Sequence, residues 1–269
     1  MGHYDRACRR RMISNEKDII VRKETKGSKW ATIVSGQPRG NLPKAKEEYD
    51  NFISGIGETP DIFCHLWNSE DMLSIWGNGG WLSAARKNDR TPIYSLEDVI
   101  KVWDPNAYLE ENYKSDEFSI IKDPKFQSGF SMTYGTKMAH RIKSFYEEIV
   151  NPEDYYDYVI RWRYDNHLGI EDNKNIDWKH IIEQIDDENV IIVPPGWDWG
   201  NYGCCDLFAV GSAKAMRIYS MVNDYFLTLK PLHPNNEGVL KHFLEKTFKL
   251  DIKEYPWTCV GIHRSETSC

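Results

Sequence analysis

Tyr155 to Asp165, YYDYVIRWRYD, is an aromatic run that ends in two arginines and an aspartate spaced two apart. In a strand, side chains alternate between faces, so Asp157, Val159, Arg161, Arg163 and Asp165 share one side and Tyr156, Tyr158, Ile160, Trp162 and Tyr164 the other. Two guanidinium groups roughly 7 Å apart on one face repel unless negative charge lies between them. That charge is either internal, with Asp157 and Asp165 forming a ladder with the arginines, or it belongs to a ligand. In the second case the strand carries Arg161, Arg163 and Asp165 to the C-terminal edge of a sheet, where open α/β folds hold ligands. Arginine forks suit phosphate, and an aspartate suits a metal or a sugar hydroxyl.

A second acid stands out in Cys204 to Gly211, CCDLFAVG, where Asp206 interrupts an otherwise apolar run expected to be a strand. A lone carboxylate there is either paired or used. Tryptophans gather in two glycine-rich stretches, one over residues 68–90 that includes Trp81 and one at Trp197-Asp198-Trp199-Gly200. The first reads either as a loop closing over a ligand or as a surface excursion.

The elements that position these residues follow from hydrophobic spacing. Trp30 to Ser35 reads as a buried strand stopped by Gly36-Gln37-Pro38-Arg39-Gly40. Leu42, Ala45, Tyr49, Phe52, Ile53 and Ile56 recur at helical spacing, and Asp61 to Trp67 is a second strand. Strand, glycine turn, helix and strand make a βαβ unit of a parallel sheet. Thr91 to Leu96 reads as a short strand, Asp98 to Trp103 as a brief amphipathic segment, and residues 104–128 show no clear period. A helix is expected from Ser131 to Val150, another from Trp178 to Ile185, and a strand over Asn189 to Val193. Ser212 and Asn236 are expected to cap two further helices. The turn after the first strand is neither GxGxxG nor a P-loop, which disfavours a dinucleotide fold or a P-loop kinase.

With 269 residues and no compositional break, the chain reads as a polar arm (1–29), one α/β domain (30–264) and a short tail (265–269). A net charge of −7 argues against a general nucleic-acid binder. No apolar run reaches the roughly 20 residues of a membrane span, and the arginine-rich start lacks a signal-peptide core, so a soluble, cytoplasmic protein is expected. The six cysteines form no CxxC pair, and reduced thiols are expected. A cysteine nucleophile and a Ser-His-Asp triad lack local support.

Taken together, S-G-Q-P-R after the first strand, D-I-F-C-H-L-W in the second, Y-D-Y-V-I-R-W-R-Y-D, and D-L-F-A-V-G-S before a helix resemble the GT-A-type glycosyltransferase-like proteins that large viruses, phages and bacteria encode for surface-glycan synthesis. The resemblance spans about Ala31 to Leu244. It implies a single GT-A-like, Rossmann-like domain with a mostly parallel central sheet flanked by helices, and a nucleotide-diphosphate sugar and a glycan acceptor as partners. Ser35, Gly36, Gln37 and Arg39 match the family's first turn and would contact the nucleotide. Asp165 matches the last acid of a D-x-D motif that holds a divalent cation, Mn²⁺ or Mg²⁺, on the donor diphosphate, and His263 matches a C-terminal metal ligand. Here Arg163 occupies the earlier acidic place, so Arg161 and Arg163 are the alternative means of stabilising the leaving diphosphate. Asp206 and Glu237 are the candidate base or acceptor-orienting acids, and Trp81, Trp197 and Trp199 the candidates for stacking on sugars. The missing acid also leaves open a nucleotide-sugar or carbohydrate binder without turnover.

Overall fold

A computed structural model describes residues 20–21, 23, 28–36, 38, 40–68, 94–112, 156–164, 166–168, 177–185, 187–194, 203–204, 206–222, 225, 229, 236–254 and 259–261. Its strands are β1 (Ile20–Val21), β2 (Trp30–Gly36), β3 (Asp61–Asn68), β4 (Ala107–Asn112), β5 (Tyr158–Trp162), β6 (Asn166–Leu168), β7 (Val190–Val193), β8 (Phe208–Ser212), β9 (Asp251–Glu254) and β10 (Cys259–Gly261). The helices are α1 (Leu42–Ile56), α2 (Leu96–Trp103), α3 (Trp178–Ile182), α4 (Ala213–Ser220) and α5 (Asn236–His242), the last continued by a π-helical turn, Phe243–Thr247.

Eight strands form one sheet in the order β1-β4-β3-β2-β5-β8-β7-β9. Within it β4, β3, β2, β5, β7 and β9 run one way, while β1 and β8 run against them. This is the expected α/β class with a mostly parallel central sheet. The central strands are buried on both faces, and their alternation sorts the core into two clusters. Ala31, Ile33, Phe63, Val159 and Ala209 pack with Met216 and Tyr219 of α4 and Val239 and Leu240 of α5. Val34, Cys64, Ile160, Trp162 and Phe208 pack with Tyr49 and Phe52 of α1, Trp103 of α2 and Ile181 of α3. The sheet therefore lies between α4 and α5 on one side and α1, α2 and α3 on the other.

Trp162 anchors the second cluster, with Tyr49, Phe52 and Phe208 rings 5.4, 6.0 and 5.6 Å from its own. Tyr49 also hydrogen-bonds Thr32 of β2 at 2.8 Å, fixing α1 to the sheet. Burial pushes the Tyr49 phenol far above its ordinary pKa, against the smaller pull of the Thr32 bond, so it remains neutral.

Several local expectations change. Tyr156 precedes β5 and packs in the cluster of Val159, not with Ile160 and Trp162, because the alternation begins only at Tyr158. Its hydroxyl donates to Asp61 at 3.0 Å, and Asn106 donates to the other carboxylate oxygen at 3.2 Å, which satisfies a buried acid at the far edge of the sheet. Leu96 opens a helix instead of closing a strand. Ser95 caps it, accepting from Asp98 N at 3.2 Å while the Asp98 carboxylate accepts from Ser95 N at 3.0 Å, a reciprocal capping box. Residues 107–112 form β4, and Ile20–Val21 add β1 at its edge, so the sheet begins ahead of Trp30. The β8 strand starts at Phe208, because its pairing with β5 begins at Trp162↔Phe208 where β5 ends, and Asp206 lies in the bend before it. The helix expected at 131–150 and the loop at 69–90 lie outside the described residues. No helix among the described residues is long and apolar enough to cross a membrane.

Ser212 caps α4 as expected, accepting from Ala215 N at 3.0 Å, and it donates to Glu188 O at 2.8 Å. Ser212→Ala removes both bonds and is expected to destabilise the protein by about 1 kcal/mol or slightly more, read as a lower urea midpoint at unchanged slope.

Candidate functional site

Parallel strands place their C-terminal ends at one edge, and the side chains in question converge there. Ser35 and Gly36 end β2, His65 lies near the end of β3, Arg161 and Arg163 lie at and just past the end of β5, and Asp206 precedes the reversed strand β8. Because β8 is antiparallel to β5, its start reaches the edge where its neighbours finish. Gly36 has φ 134°, which a side chain would resist, so glycine lets β2 turn away at this point.

Arg161 shares a face with Val159 and is 2% exposed. Its Nη1 donates to the main-chain carbonyl of Asp206, and its Nε has no hydrogen-bond partner among the described residues. Arg163, 6% exposed, donates through Nη1 to the Asp206 carboxylate at 3.3 and 3.4 Å. The two arginines thus grip one residue, Arg161 by its backbone and Arg163 by its side chain.

This settles half of the expected charge ladder. Asp157 is exposed and pairs with Lys29 at 3.2 Å, because it stands ahead of β5 at the opposite edge. The acid that meets Arg163 is Asp206, 43 residues along the chain. Among the described residues Arg161 has no carboxylate partner, and its one hydrogen bond there is to a neutral carbonyl.

The Asp206 bend is joined to α5. Cys204 N donates to Glu237 O at 3.3 Å, and a Cβ built on Gly203 would fall 2.5 Å from the Glu237 Cβ and 2.9 Å from its carbonyl carbon. Only glycine fits between them. The fold therefore brings the Glu237 backbone within two residues of Asp206 along the chain, with Glu237 half-buried in the first turn of α5.

Two more buried groups lie by this edge. Tyr164 follows Arg163 on the α1 side, and burial, with Cys64 beside it, pushes its phenol well above the ordinary range and keeps it neutral. Asn166 is fully buried and neither end of its amide has a hydrogen-bond partner among the described residues. It opens β6, which pairs with β10 so that Gly261 lies opposite Asn166.

Of the residues expected from the sequence, Ser35, Gly36, Arg161, Arg163 and Asp206 meet at this edge, and the backbone of Glu237 is tied to it. Gln37, Arg39, Trp81, Asp165, Trp197, Trp199 and His263 lie outside the described residues. Among the described residues no group of three or more His, Cys, Asp or Glu could hold a metal ion. His65 was not expected here, although one imidazole within an apolar strand, D-I-F-C-H-L-W, was a visible signal.

No protein-family model matches the chain, and no curated protein matches its sequence. Among solved structures it is similar to a glycosyltransferase involved in the glycosylation of the major capsid of PBCV-1, with 12% identity and a TM-score of 0.42 over 84% of this chain and 82% of that one. It is also similar to the galactosyltransferase LgtC in complex with donor and acceptor sugar analogs, with 10% identity and a TM-score of 0.34 over 80% of this chain and 70% of that one.

Proposed function

We propose that the chain is a glycosyltransferase that moves a sugar from a nucleotide-diphosphate donor to a glycan acceptor. The observation that carries this reading is Arg161, a guanidinium 2% exposed, without a carboxylate partner among the described residues, at the C-terminal edge of a parallel sheet. A buried cation is costly without a counter-charge, and a planar fork suits a phosphate oxygen pair. The sequence resemblance names the anion, the diphosphate of a nucleotide sugar.

In the reaction the acceptor hydroxyl oxygen bonds to the anomeric carbon while the bond from that carbon to the diphosphate breaks. The bonding pair moves to the diphosphate oxygen, where Arg161 and Arg163 offset the new negative charge. The hydroxyl proton passes to a carboxylate, for which Asp206 is the candidate nearest the arginines, with Glu237 second. A divalent cation would add positive charge on the diphosphate. Its candidate ligands, Asp165 and His263, lie outside the described residues, and the steps assigned here rest on the arginines and acids alone.

A second reading, binding of a nucleotide sugar or carbohydrate without turnover, is favoured by one observation: the Asp206 carboxylate is already engaged by Arg163. A thermal-shift screen of nucleoside diphosphates and their sugars, with and without Mn²⁺ or Mg²⁺, followed by assay of nucleotide release against a glycan panel, separates the two. Ligand at 100 times its Kd is expected to add about 2.7 kcal/mol of stability. Stabilisation with acceptor-dependent nucleotide release supports transfer, and stabilisation without release supports binding alone. No shift with any nucleotide defeats both.

A further inference from the structure

Strand β9, Asp-Ile-Lys-Glu over Asp251–Glu254, stands at one end of the sheet and, among the described residues, is bonded only to β7. Asp251 N donates to Asn189 O at 2.9 Å, on the β7 side. In a parallel pair alternate residues direct both of their backbone groups at the same neighbour, so Asp251 and Lys253 direct theirs at β7 while Ile252 and Glu254 turn theirs outward. Ile252 packs beside the cluster on the α4 and α5 side, where Glu254 also pairs with Lys241 of α5 at 2.5 Å. Asp251 and Lys253 therefore share the opposite face, and there they form an ion pair with each other at 2.8 Å.

An open edge of this kind invites another strand, and charges usually blunt it. Here the charges have a self-complementary order. When a strand pairs antiparallel with a copy of itself about a two-fold axis, residues directly opposite both turn their backbone groups towards each other or both turn them away, so the axis passes beside one residue and sets it against its own copy. Centred on Asp251, Lys253 or Glu254, the axis opposes like charges, which destabilises the pairing. Centred on Ile252, it sets Asp251 against Lys253 of the second copy and Lys253 against Asp251 of the second copy. The two Ile252 residues then exchange their outward N–H and C=O groups, and their apolar side chains meet on the α4 and α5 side. Leu250, next in line, already donates to Leu244 O at 2.9 Å, so the shared ladder is short and the charge pairs weigh heavily in it.

We propose that β9 is the interface of a weak symmetric dimer, in which a second copy of the chain adds its own β9 antiparallel about Ile252 and the sheet continues through both copies. A ladder of four residues is small beside the interfaces of tight dimers, so the association is expected to depend on concentration. Sedimentation of the full chain from roughly 1 μM to 1 mM, the span of weak association, is expected to show a monomer–dimer equilibrium. Asp251→Lys and Lys253→Glu each place like charges in both opposed pairs, and each is expected to weaken the dimer about tenfold or more. Mixed in equal amounts, the two variants are expected to pair with each other as tightly as the parent pairs with itself, because the introduced lysine of one faces the introduced glutamate of the other. The double exchange, Asp251→Lys with Lys253→Glu, is expected to restore self-association for the same reason. Recovery in the mixture also shows that each single variant is folded. A parent chain that stays monomeric throughout, a dimer that neither single variant weakens, or a loss that neither the mixture nor the double exchange recovers overturns the assignment.

Discussion

Arg161→Met is expected to abolish measurable nucleoside-diphosphate binding while leaving the unliganded protein folded. Removing a buried charge that contacts an anionic ligand typically costs about 2–5 kcal/mol of binding, a weakening on the order of 30-fold to several thousand-fold. The effect on the free protein is opposite in kind. A guanidinium 2% exposed, with one bond among the described residues and that to a carbonyl, bears a desolvation cost that methionine does not, while the loss of that bond costs about 1 kcal/mol. The two terms oppose each other, so the unliganded melting temperature should hold or rise while the ligand-induced shift disappears. Arg161→Lys keeps the charge without the planar fork and is expected to retain part of the pyrophosphate affinity. A methionine variant that binds nucleoside diphosphates as well as the unaltered chain would show that the charge faces no ligand.

Arg163→Met acts on folding instead. It strands the Asp206 carboxylate, 7% exposed, without the partner that holds it at 3.3 Å. Breaking a buried pair from one side costs about 3–5 kcal/mol, and the long separation places this pair at about 3. The double variant Arg163→Met with Asp206→Leu removes both charges and should recover most of the loss, because the apolar pair needs no compensation. Urea unfolding of the two single variants, the double variant and the parent closes the cycle. A double variant destabilised by the sum of the Arg163→Met and Asp206→Leu effects would mean that the two groups are not coupled. The same double variant should be inactive in transfer even though it is stable, which separates the fold from the chemistry.

The strands of the sheet centre were legible because they are buried on both faces and read as continuous apolar runs: Trp30 to Ser35, Asp61 to Trp67, Tyr158 to Trp162 and Val190 to Val193. The caps at Ser212 and the glycine turn after β2 were legible for equally local reasons. What was missed lay at margins, where burial no longer writes a pattern. Ala107–Asn112, with Ala107 and Leu109 buried and Glu110 exposed, carries the alternation of a strand for only a few residues inside a polar stretch. The β6 and β10 strands are three residues each and exist through their mutual pairing. At the site, sequence spacing singled out the arginines and Asp206, which the fold brings together, but proposed neighbours along the chain as partners. Pairing of Arg163 with Asp206 depends on the antiparallel register of β8 against β5, which no local spacing encodes.

The reversal of β8 has an electrostatic consequence. Helix α1 follows a strand that ends at the edge where the parallel strands finish, so its first turn, where backbone N–H groups concentrate partial positive charge, lies on that side. Helix α4 follows a strand that ends at the opposite edge, so it runs back along the sheet and turns its partial negative end towards the edge where the parallel strands finish. One edge thus receives opposite dipole ends, positive beside β2 and negative beside β8. A donor lying from β2 towards β8, as in the proposed transfer, would have electron-rich phosphate nearer the first and the carbon that becomes electron-poor nearer the second, and the backbone would then polarise it in the sense that bond cleavage requires.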